Sequence, residues 1–246
     1  MIIASRDLPV PERALAVGAH PDDIEFGAGA TLARWAAAGC EVSLLVCTDG
    51  SKGTWDVDAD TAALVATRQD EQRAAAAALG ATGEVVFLGR VDGELVADAD
   101  AVSEVARHVR RLRPDVLLGH DPWKRHRLHP DHLAAGRIVV EALVGARDPH
   151  FFRDHAVAHH RPGHLLLFEP DAPVHAEAAG AEHVDAKIAA LEAHRSQFES
   201  TMFVSADDAG AEIDRFRRRI RDEAATAGRV VGRAGAELFG AIATDR

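Results

Sequence analysis

A histidine and two adjacent aspartates directly follow a short apolar run near the start of the chain. The run is Leu15–Gly18, and His20, Asp22 and Asp23 come after it in the sequence LAVGAHPDD. Neighbouring carboxylates repel each other unless a positive charge lies close to them. Imidazole and carboxylate groups are suitable metal ligands, so these residue types at this spacing point to a bound cation.

A second group of the same kind lies further along the chain, in the sequence HDPWKRHRLHPDH. It ends in His129, Pro130, Asp131 and His132. Proline favours the first turn of a helix, and an aspartate is stabilised at the positive N-terminal end. Side chains three residues apart lie on the same side of a helix. His129 and His132 are therefore predicted to face one direction at the start of a helix.

Together, the two groups predict a divalent metal site made of His20, Asp23 and His132. Three ligands of these types suit Zn²⁺ and leave a fourth position for water, whereas a structural zinc site would be closed by a fourth protein ligand. Zn²⁺ is the expected ion, although Fe²⁺, Co²⁺ and Ni²⁺ would also suit this donor set. The prediction is thus a catalytic metal site.

The remaining side chains of the two groups are suited to proton transfer. Asp22, next to the predicted ligand Asp23, is expected to hydrogen-bond a metal-held water and to take its proton. His129 is expected to be protonated, with Asp131 holding its ring, and to donate to a developing oxyanion or a leaving group. A base, an acid and an open metal position predict hydrolysis of an amide or an ester.

Apolar segments alternate with alanine-rich helical segments along the chain. Strands are predicted at 14–19, 41–48, 84–89, 115–120, 164–169 and 237–243. Helices are predicted at 27–38, 61–79, 99–112, 130–144, 184–198 and 209–227. This alternation predicts an α/β fold with a mostly parallel, Rossmann-like doubly wound sheet flanked by helices. Ligands bind such sheets at the C-terminal ends of the strands, so the active site is expected at that edge.

Composition narrows the classes of function. The chain has 246 residues, 47% of them hydrophobic, which predicts a single domain over 1–246, with 150–246 completing the sheet edge and the substrate side. A net charge of −11 disfavours binding to nucleic acid or to an anionic membrane. The N-terminal residues resemble no signal peptide, and the two cysteines form no disulfide framework, so a cytoplasmic protein is expected. The oligomeric state stays open, and a homo-oligomer is compatible with the sequence.

Four segments in order carry a family resemblance: AHPDD, GAGATLA, TDGSKG and HPDH. In this combination the chain resembles the PIG-L/LmbE-like family of zinc-dependent N-acetylglucosaminyl deacetylases. The resemblance implies that His20, Asp23 and His132 hold the zinc, that Asp22 is the general base, and that His129 is the acid or the oxyanion-stabilising residue. It also implies a small-molecule substrate, an N-acetylglucosamine joined to inositol, malate or a second sugar.

Further candidates lie near the predicted site. The segment TRQDEQRAAAAALGA is similar to a helix of the family, which implies that Arg68 contacts the substrate. Thr48, Asp49 and Gly50 follow the second predicted strand and are expected to line the pocket beside the metal. Glu25 is expected to cap the first helix. His194, in a segment similar to a family motif, is expected to support the site or its packing.

Other reactions remain open at this point. The same metal site could serve an amidase that acts on a thiol–sugar conjugate, or a hydratase that acts on an unsaturated oxo-acid. A carboxylate substrate would favour cations at the rim, such as Arg68, Lys52, Lys124 and Arg125. A non-catalytic binding protein would not need a base, and Asp22 is present.

Overall fold

The computed structural model describes residues 3–205, 207 and 210–244, and is built on an eight-stranded sheet with helices on both faces. The strands are β1 Ser5–Arg6, β2 Arg13–Gly18, β3 Glu41–Thr48, β4 Val85–Arg90, β5 Val116–His120, β6 His164–Phe168, β7 His175–Ala178 and β8 Ala236–Ala243. The α-helices are α1 Asp23–Ala37, α2 Thr61–Ala78, α3 Ala99–Leu112, α4 Pro130–Arg147, α5 Ala181–Ala193 and α6 Ala211–Val231.

The strand order is β1-β7-β8-β6-β5-β2-β3-β4. Strands β2 to β6 pair in parallel along their half of the sheet, and β8 runs antiparallel to both β6 and β7. The predicted mostly parallel, doubly wound sheet is therefore confirmed, with β8 as the antiparallel exception. Because β2, β3, β4 and β5 are parallel, the residues that follow them share one edge of the sheet.

Alternate side chains of the central strands bury into two apolar layers. Leu15 and Val17 of β2 pack on one face with residues of α3 and α4, whereas Ala14 and Ala16 pack on the other with α1 and α2. Strands buried on both faces need near-continuous apolar sequences, as β2, β3 and β5 have. These two layers hold the strand ends rigidly, so the loops that follow them have fixed starting points.

Several element boundaries differ from the prediction. Helix α1 begins at Asp23 rather than at residue 27, so the DD pair lies at the helix start and not in a preceding loop. The segment predicted as one helix over 184–198 divides into α5, a 3-10 turn at Arg195–Gln197 and a π-helical turn at Phe198–Met202. Strands β1 and β7 were not predicted, because two and four residues are too short to show an alternating pattern. The predicted start of the last helix, residue 209, lies outside the described residues.

Candidate metal-dependent active site

The turn after β2 places His20, Asp22 and Asp23 at the sheet edge. The backbone N–H of His20 donates to Asp23 Oδ2 at 2.7 Å, which folds the chain into a tight turn before α1. Asp22 occupies the N-cap position of α1 with φ of 100°, in the left-handed region. The two carboxylates consequently diverge, and Asp23 faces the histidine while Asp22 faces the cavity described below.

The N-terminal turn of α4 brings His132 to the same point. Pro130 is at the start of this helix, as predicted, and His129 is its N-cap residue. His132 Nε2 lies 3.2 Å from His20 Nδ1 and 3.2 Å from Asp23 Oδ1. His20 Nδ1 lies 3.3 Å from Asp23 Oδ2. The structure therefore brings together the three residues that the sequence predicts as ligands.

These spacings fit a metal ion. Tetrahedral zinc with bonds of about 2.0–2.1 Å separates its ligand atoms by about 3.3 Å, close to the spacings found here. His20 Nδ1 lies near Asp23 Oδ2 and His132 Nε2 near Asp23 Oδ1, so two imidazole nitrogens and one carboxylate lie close together. His20, Asp23 and His132 thus fit a divalent ion in both chemistry and spacing.

The far side of the His20 ring is held by two carboxylates. His20 Nε2 lies 3.1 Å from Asp131 Oδ2 and 3.3 Å from Asp92 Oδ1. Burial opposes a charge on His20, but Asp131, Asp23 and Asp92 outweigh it and raise the pKa of His20 to about 12. A carboxylate on the second ring nitrogen is the usual way to orient a metal-bound histidine. The surplus of carboxylates also favours a cation at this point.

Asp92 was not singled out in the sequence. It is the second residue after β4, at the same sheet edge as the other site residues, and this position was the signal that could have found it. Its backbone N–H donates to Asp49 Oδ1 at 3.1 Å, and its Oδ2 accepts from the backbone N–H of Lys52 at 3.1 Å. These bonds tie the loop after β4 to the loop after β3, and so hold Asp92 against His20.

His120, the last residue of β5, also received no role from the sequence. Its Nε2 lies 3.2 Å from Asp23 Oδ2, and its ring stacks on His132 with centroids 4.5 Å apart. Burial lowers the pKa of His120, so its ring is neutral at pH 7. Asp23, His120 and His132 form one group with metal-ligand spacing, and His20, His129 and His132 form another that shares His132 with it. His120 therefore either supports Asp23 or offers an alternative ligand.

Asp22 lies at the wall of the cavity, where its carboxylate is placed to accept a proton. It is 5% exposed, and its Oδ2 has no hydrogen-bond partner within the part of the chain that the structure describes. Arg68 Nη2 is its nearest cation, at 3.7 Å. Burial raises the pKa of Asp22 to about 6, against the opposing effect of Arg68. A buried carboxylate with a raised pKa at a cavity wall is suited to taking a proton near neutral pH.

His129 has a different partner from the one predicted. The Asp131 carboxylate contacts His20 and the backbone N–H of Gly93, whereas His129 Nδ1 accepts a hydrogen bond of 3.3 Å from the backbone N–H of Asp131. Burial and the charge on His20 both lower the pKa of His129. Nδ1 accepts, so the ring is neutral with its proton on Nε2. His129 can donate a hydrogen bond from Nε2 but is not held as a cation by Asp131.

Arg68 lies at the cavity, 3% exposed, and donates to two backbone carbonyls. Nη1 donates to the carbonyl of Gly50 at 2.9 Å and Nη2 to that of Pro21 at 2.7 Å. Its guanidinium packs so tightly that a Cβ added to Gly53 would lie 2.2 Å from Nη1. A side chain at position 53 would therefore displace the Arg68 guanidinium.

The other predicted contact residues lie behind the cavity wall. Thr48 donates through Oγ1 to the carbonyl of Ala19 at 2.8 Å, Asp49 holds Asp92, and Gly50 holds Arg68. Their direct contact with a substrate stays a prediction.

Glu25 and His194 form a buried layer beneath the site rather than a helix cap. Both are 0% exposed. Glu25 Oε1 accepts from Gln72 Nε2 at 2.6 Å, and Glu25 Oε2 lies 3.6 Å from His194 Nε2. Burial opposes a charge on His194, but Glu25 outweighs it and raises its pKa. Gln72 was missed by the sequence analysis, since a glutamine in a polar helix gives no signal of its own.

A cavity of about 360 Å³ opens at the predicted metal ligands. Trp55, 74% exposed, lies at its wall together with Lys52, Gly53 and Thr54 from the loop after β3. Gln197, Ser200 and Thr201 also line it. The volume suits a monosaccharide-sized group, with polar side chains on most sides.

The fold and the site together define a class of protein. A doubly wound sheet with a histidine–aspartate metal site at its C-terminal edge, a free buried carboxylate and an open cavity is the arrangement of a metal-dependent hydrolase. Residues 15–143 match the family model described as PIG-L, GlcNAc-PI de-N-acetylase. This chain belongs to the PIG-L family.

Named relatives are deacetylases. The chain is similar to the diacetylchitobiose deacetylase of Thermococcus kodakarensis, with 31% identity over 193 residues, 76% of this chain and 70% of the relative. It is 37% identical over 171 residues to the 1D-myo-inositol 2-acetamido-2-deoxy-alpha-D-glucopyranoside deacetylase of Streptomyces avermitilis, covering 59% of this chain and 57% of that protein. The chain thus spans little more than half the length of the second relative.

A solved structure supports the fold. N,N'-diacetylchitobiose deacetylase from Pyrococcus horikoshii superposes with a TM-score of 0.83 at 24% identity, covering 95% of this chain and 84% of the other. Within the described residues, none of the helices is both long and apolar enough to span a membrane.

Proposed function

We propose that this protein is a metal-dependent deacetylase that removes the N-acetyl group from an N-acetylglucosamine conjugate by hydrolysis. The observation that carries this proposal is the convergence of His20 Nδ1, His132 Nε2 and the Asp23 carboxylate within 3.2–3.3 Å of one another, with Asp22 beside them at the cavity wall. The relatives that are named as deacetylases of acetamido sugars support the choice of amide and of sugar.

His20, Asp23 and His132 would hold the ion, which we propose to be Zn²⁺. When bound, such an ion polarises a carbonyl oxygen and lowers the pKa of water to about 7. Asp131 and Asp92 orient the His20 ring from its far side, which keeps Nδ1 directed at Asp23 and His132. A cavity opens at these three residues and leaves room for substrate and water.

Asp22 serves as the general base in this proposal. Its carboxylate, at the cavity wall, accepts the proton of the attacking water, and burial keeps that carboxylate basic enough to do so near neutral pH. The proton then goes to the leaving nitrogen, so that the product is a free amine and acetate. Arg68, 3.7 Å away, limits the rise in the pKa of Asp22 and keeps it ionised at pH 7.

His129 serves as a hydrogen-bond donor to the developing oxyanion. Its Nδ1 is occupied by the backbone N–H of Asp131, which fixes the ring and leaves the proton on Nε2. His129 lines the same cavity as Asp22, and its Nε2 lies 3.9 Å from Asp92 Oδ1. A fixed donor of this kind stabilises the transition state more than the ground state, because its hydrogen bond strengthens as charge develops.

A hydratase that acts on a carboxylated substrate would need cations at the cavity, and the cations that line it already have other partners. Arg68 donates to two backbone carbonyls, and Lys52 pairs with Glu94 at 3.1 Å. Lys124 and Arg125 do not line the cavity as far as the described residues show. The geometry therefore favours a neutral acetamido sugar over a carboxylated substrate.

The proposal also covers the organisation of the chain. We propose a single domain, because strands from residues 5–243 join in one sheet. The cytoplasmic location, the absence of nucleic-acid and membrane partners, and a homo-oligomeric state stay predictions.

An acetate-release assay tests the proposed function. The purified protein, loaded with Zn²⁺, is incubated with N-acetylglucosamine and with its conjugates to inositol, malate and a second N-acetylglucosamine. Acetate and free amine in equal amounts from at least one conjugate are expected. Failure to release acetate from any of them, with the metal bound, would contradict the proposal, and turnover of an unsaturated oxo-acid would favour the hydratase.

A further inference from the structure

The peptide bond between Pro21 and Asp22 is held at both of its polar ends. Its carbonyl, from Pro21, accepts from Arg68 Nη2 at 2.7 Å, and its N–H, from Asp22, donates to Gln72 Oε1 at 3.1 Å. Arg68 and Gln72 are four residues apart in α2, so both reach out from one face of that helix. Two side chains from one face of α2 thus hydrogen-bond both the carbonyl and the N–H of the same peptide unit.

This peptide unit sets the direction of the Asp22 side chain. Asp22 has φ of 100°, a backbone conformation that residues with a side chain rarely adopt. Such a conformation persists only where the surroundings impose it, and it is found preferentially at functional sites. Rotation of the Pro21–Asp22 peptide would relieve the strain, but it would break both hydrogen bonds and swing the Asp22 carboxylate out of its place.

Glu25 determines which way the Gln72 amide faces. An amide side chain can present its oxygen or its nitrogen to a neighbour, and the hydrogen-bond network decides between them. Glu25 Oε1 accepts from Gln72 Nε2 at 2.6 Å, which leaves Gln72 Oε1 for the Asp22 N–H. Gln72 and Glu25 are both 0% exposed, so water does not compete for these contacts.

We propose that Gln72 and Glu25 are positioning residues for the general base. Gln72 holds the Asp22 backbone in its left-handed conformation, and Glu25 acts through Gln72 by fixing its amide. This inference rests on the proposed function, because it takes Asp22 as the base. A base that is misplaced by about 1 Å can lose on the order of a hundredfold in rate, even when the substrate still binds. Loss of Gln72 should therefore reduce kcat and leave KM nearly unchanged.

The test uses Gln72→Met, which keeps the length of the side chain and removes both hydrogen bonds. Gln69→Met in the same helix, at a half-buried position, is the matched control. We expect Gln72→Met to lower kcat at least tenfold, with KM and metal content within about threefold of wild type, and Gln69→Met to stay within twofold. A crystal structure of Gln72→Met should show Asp22 outside the left-handed region.

A second variant keeps the inference testable if Gln72→Met fails to fold. Glu25→Met leaves Gln72 in place but frees its amide, so a smaller loss in kcat is expected. Because Glu25 acts through Gln72, the double variant should be no slower than Gln72→Met alone. The inference would be overturned if the losses in kcat of the two single variants multiplied in the double variant. It would also be overturned by wild-type kcat in Gln72→Met or by an unchanged φ of Asp22 in that variant. A wild-type protein without any deacetylase activity would instead overturn the proposed function, and the φ of Asp22 in the variant would still test the positioning.

Discussion

Replacement of Asp22 by asparagine isolates the proposed proton transfer from metal binding. The two side chains have nearly the same shape, so the change leaves no cavity in this 5%-exposed position. Asparagine retains an oxygen toward the cavity but cannot take a proton. His20, Asp23 and His132 keep their mutual distances, because none of the three contacts made among them involves the Asp22 side chain.

The expected loss in kcat is about 10²–10⁴-fold, the usual contribution of a positioned general base. At about 1.4 kcal/mol for each tenfold change, this corresponds to about 3–5 kcal/mol of transition-state stabilisation. The assay is acetate release under saturating substrate, with zinc content measured on the same sample. Zinc should remain at one ion per chain, and KM should change little.

The stability of the variant adds an independent check. Burial raises the pKa of Asp22 from its ordinary value of 3.8 to about 6, so ionisation costs the folded protein stability as pH rises through this interval. Asparagine carries no such cost. The metal-free variant should therefore unfold at a higher temperature than metal-free wild type at pH 7, and the difference should vanish below about pH 4. An Asp22→Asn variant with wild-type turnover would refute the assignment of the base, and a variant without zinc would show that Asp22 is a ligand.

Two further predictions concern the residues that support the site. Gly53→Ala should lower kcat/KM at least tenfold, because its Cβ would lie 2.2 Å from Arg68 Nη1 and displace the guanidinium. Gly163→Ala, where the added Cβ would lie 3.6 Å from the carbonyl oxygen of Asp115, should match wild type in the same assay. Asp131→Asn should weaken zinc binding about 10–100-fold in a chelator competition, since the carboxylate that orients the His20 ring is lost. Unchanged activity in Gly53→Ala, or unchanged zinc affinity in Asp131→Asn, would contradict these roles.

The sequence was sufficient to predict the main features of the fold and the convergence at the sheet edge. Parallel strands that are buried on both faces have near-continuous apolar sequences. For that reason β2, β3 and β5 could be predicted from the sequence. Since the C-terminal ends of parallel strands meet, residues after β2 and β5 could be placed together although they are far apart in the chain. His20, Asp23 and His132 do meet there.

The partners of each side chain could not be predicted in the same way. Asp131 was expected to hold the neighbouring His129, yet it turns to His20, because the loop after β4 supplies backbone N–H groups that fix its carboxylate in that direction. Asp92 and Gln72 depend on tertiary contacts between loops and helices that leave no mark on local sequence. Glu25 was expected to cap the first helix from outside it, and instead lies within its first turn, buried beneath the site, since α1 starts earlier than predicted.

The position of the metal tests the central claim most directly. Crystals grown with Zn²⁺ and measured at the zinc absorption edge locate the ion without reference to activity. The structure predicts one anomalous peak about 2.0–2.2 Å from His20 Nδ1, His132 Nε2 and an Asp23 oxygen. A peak bound instead by Asp92, His129 and Asp131, or no peak in protein that still deacetylates, would contradict it.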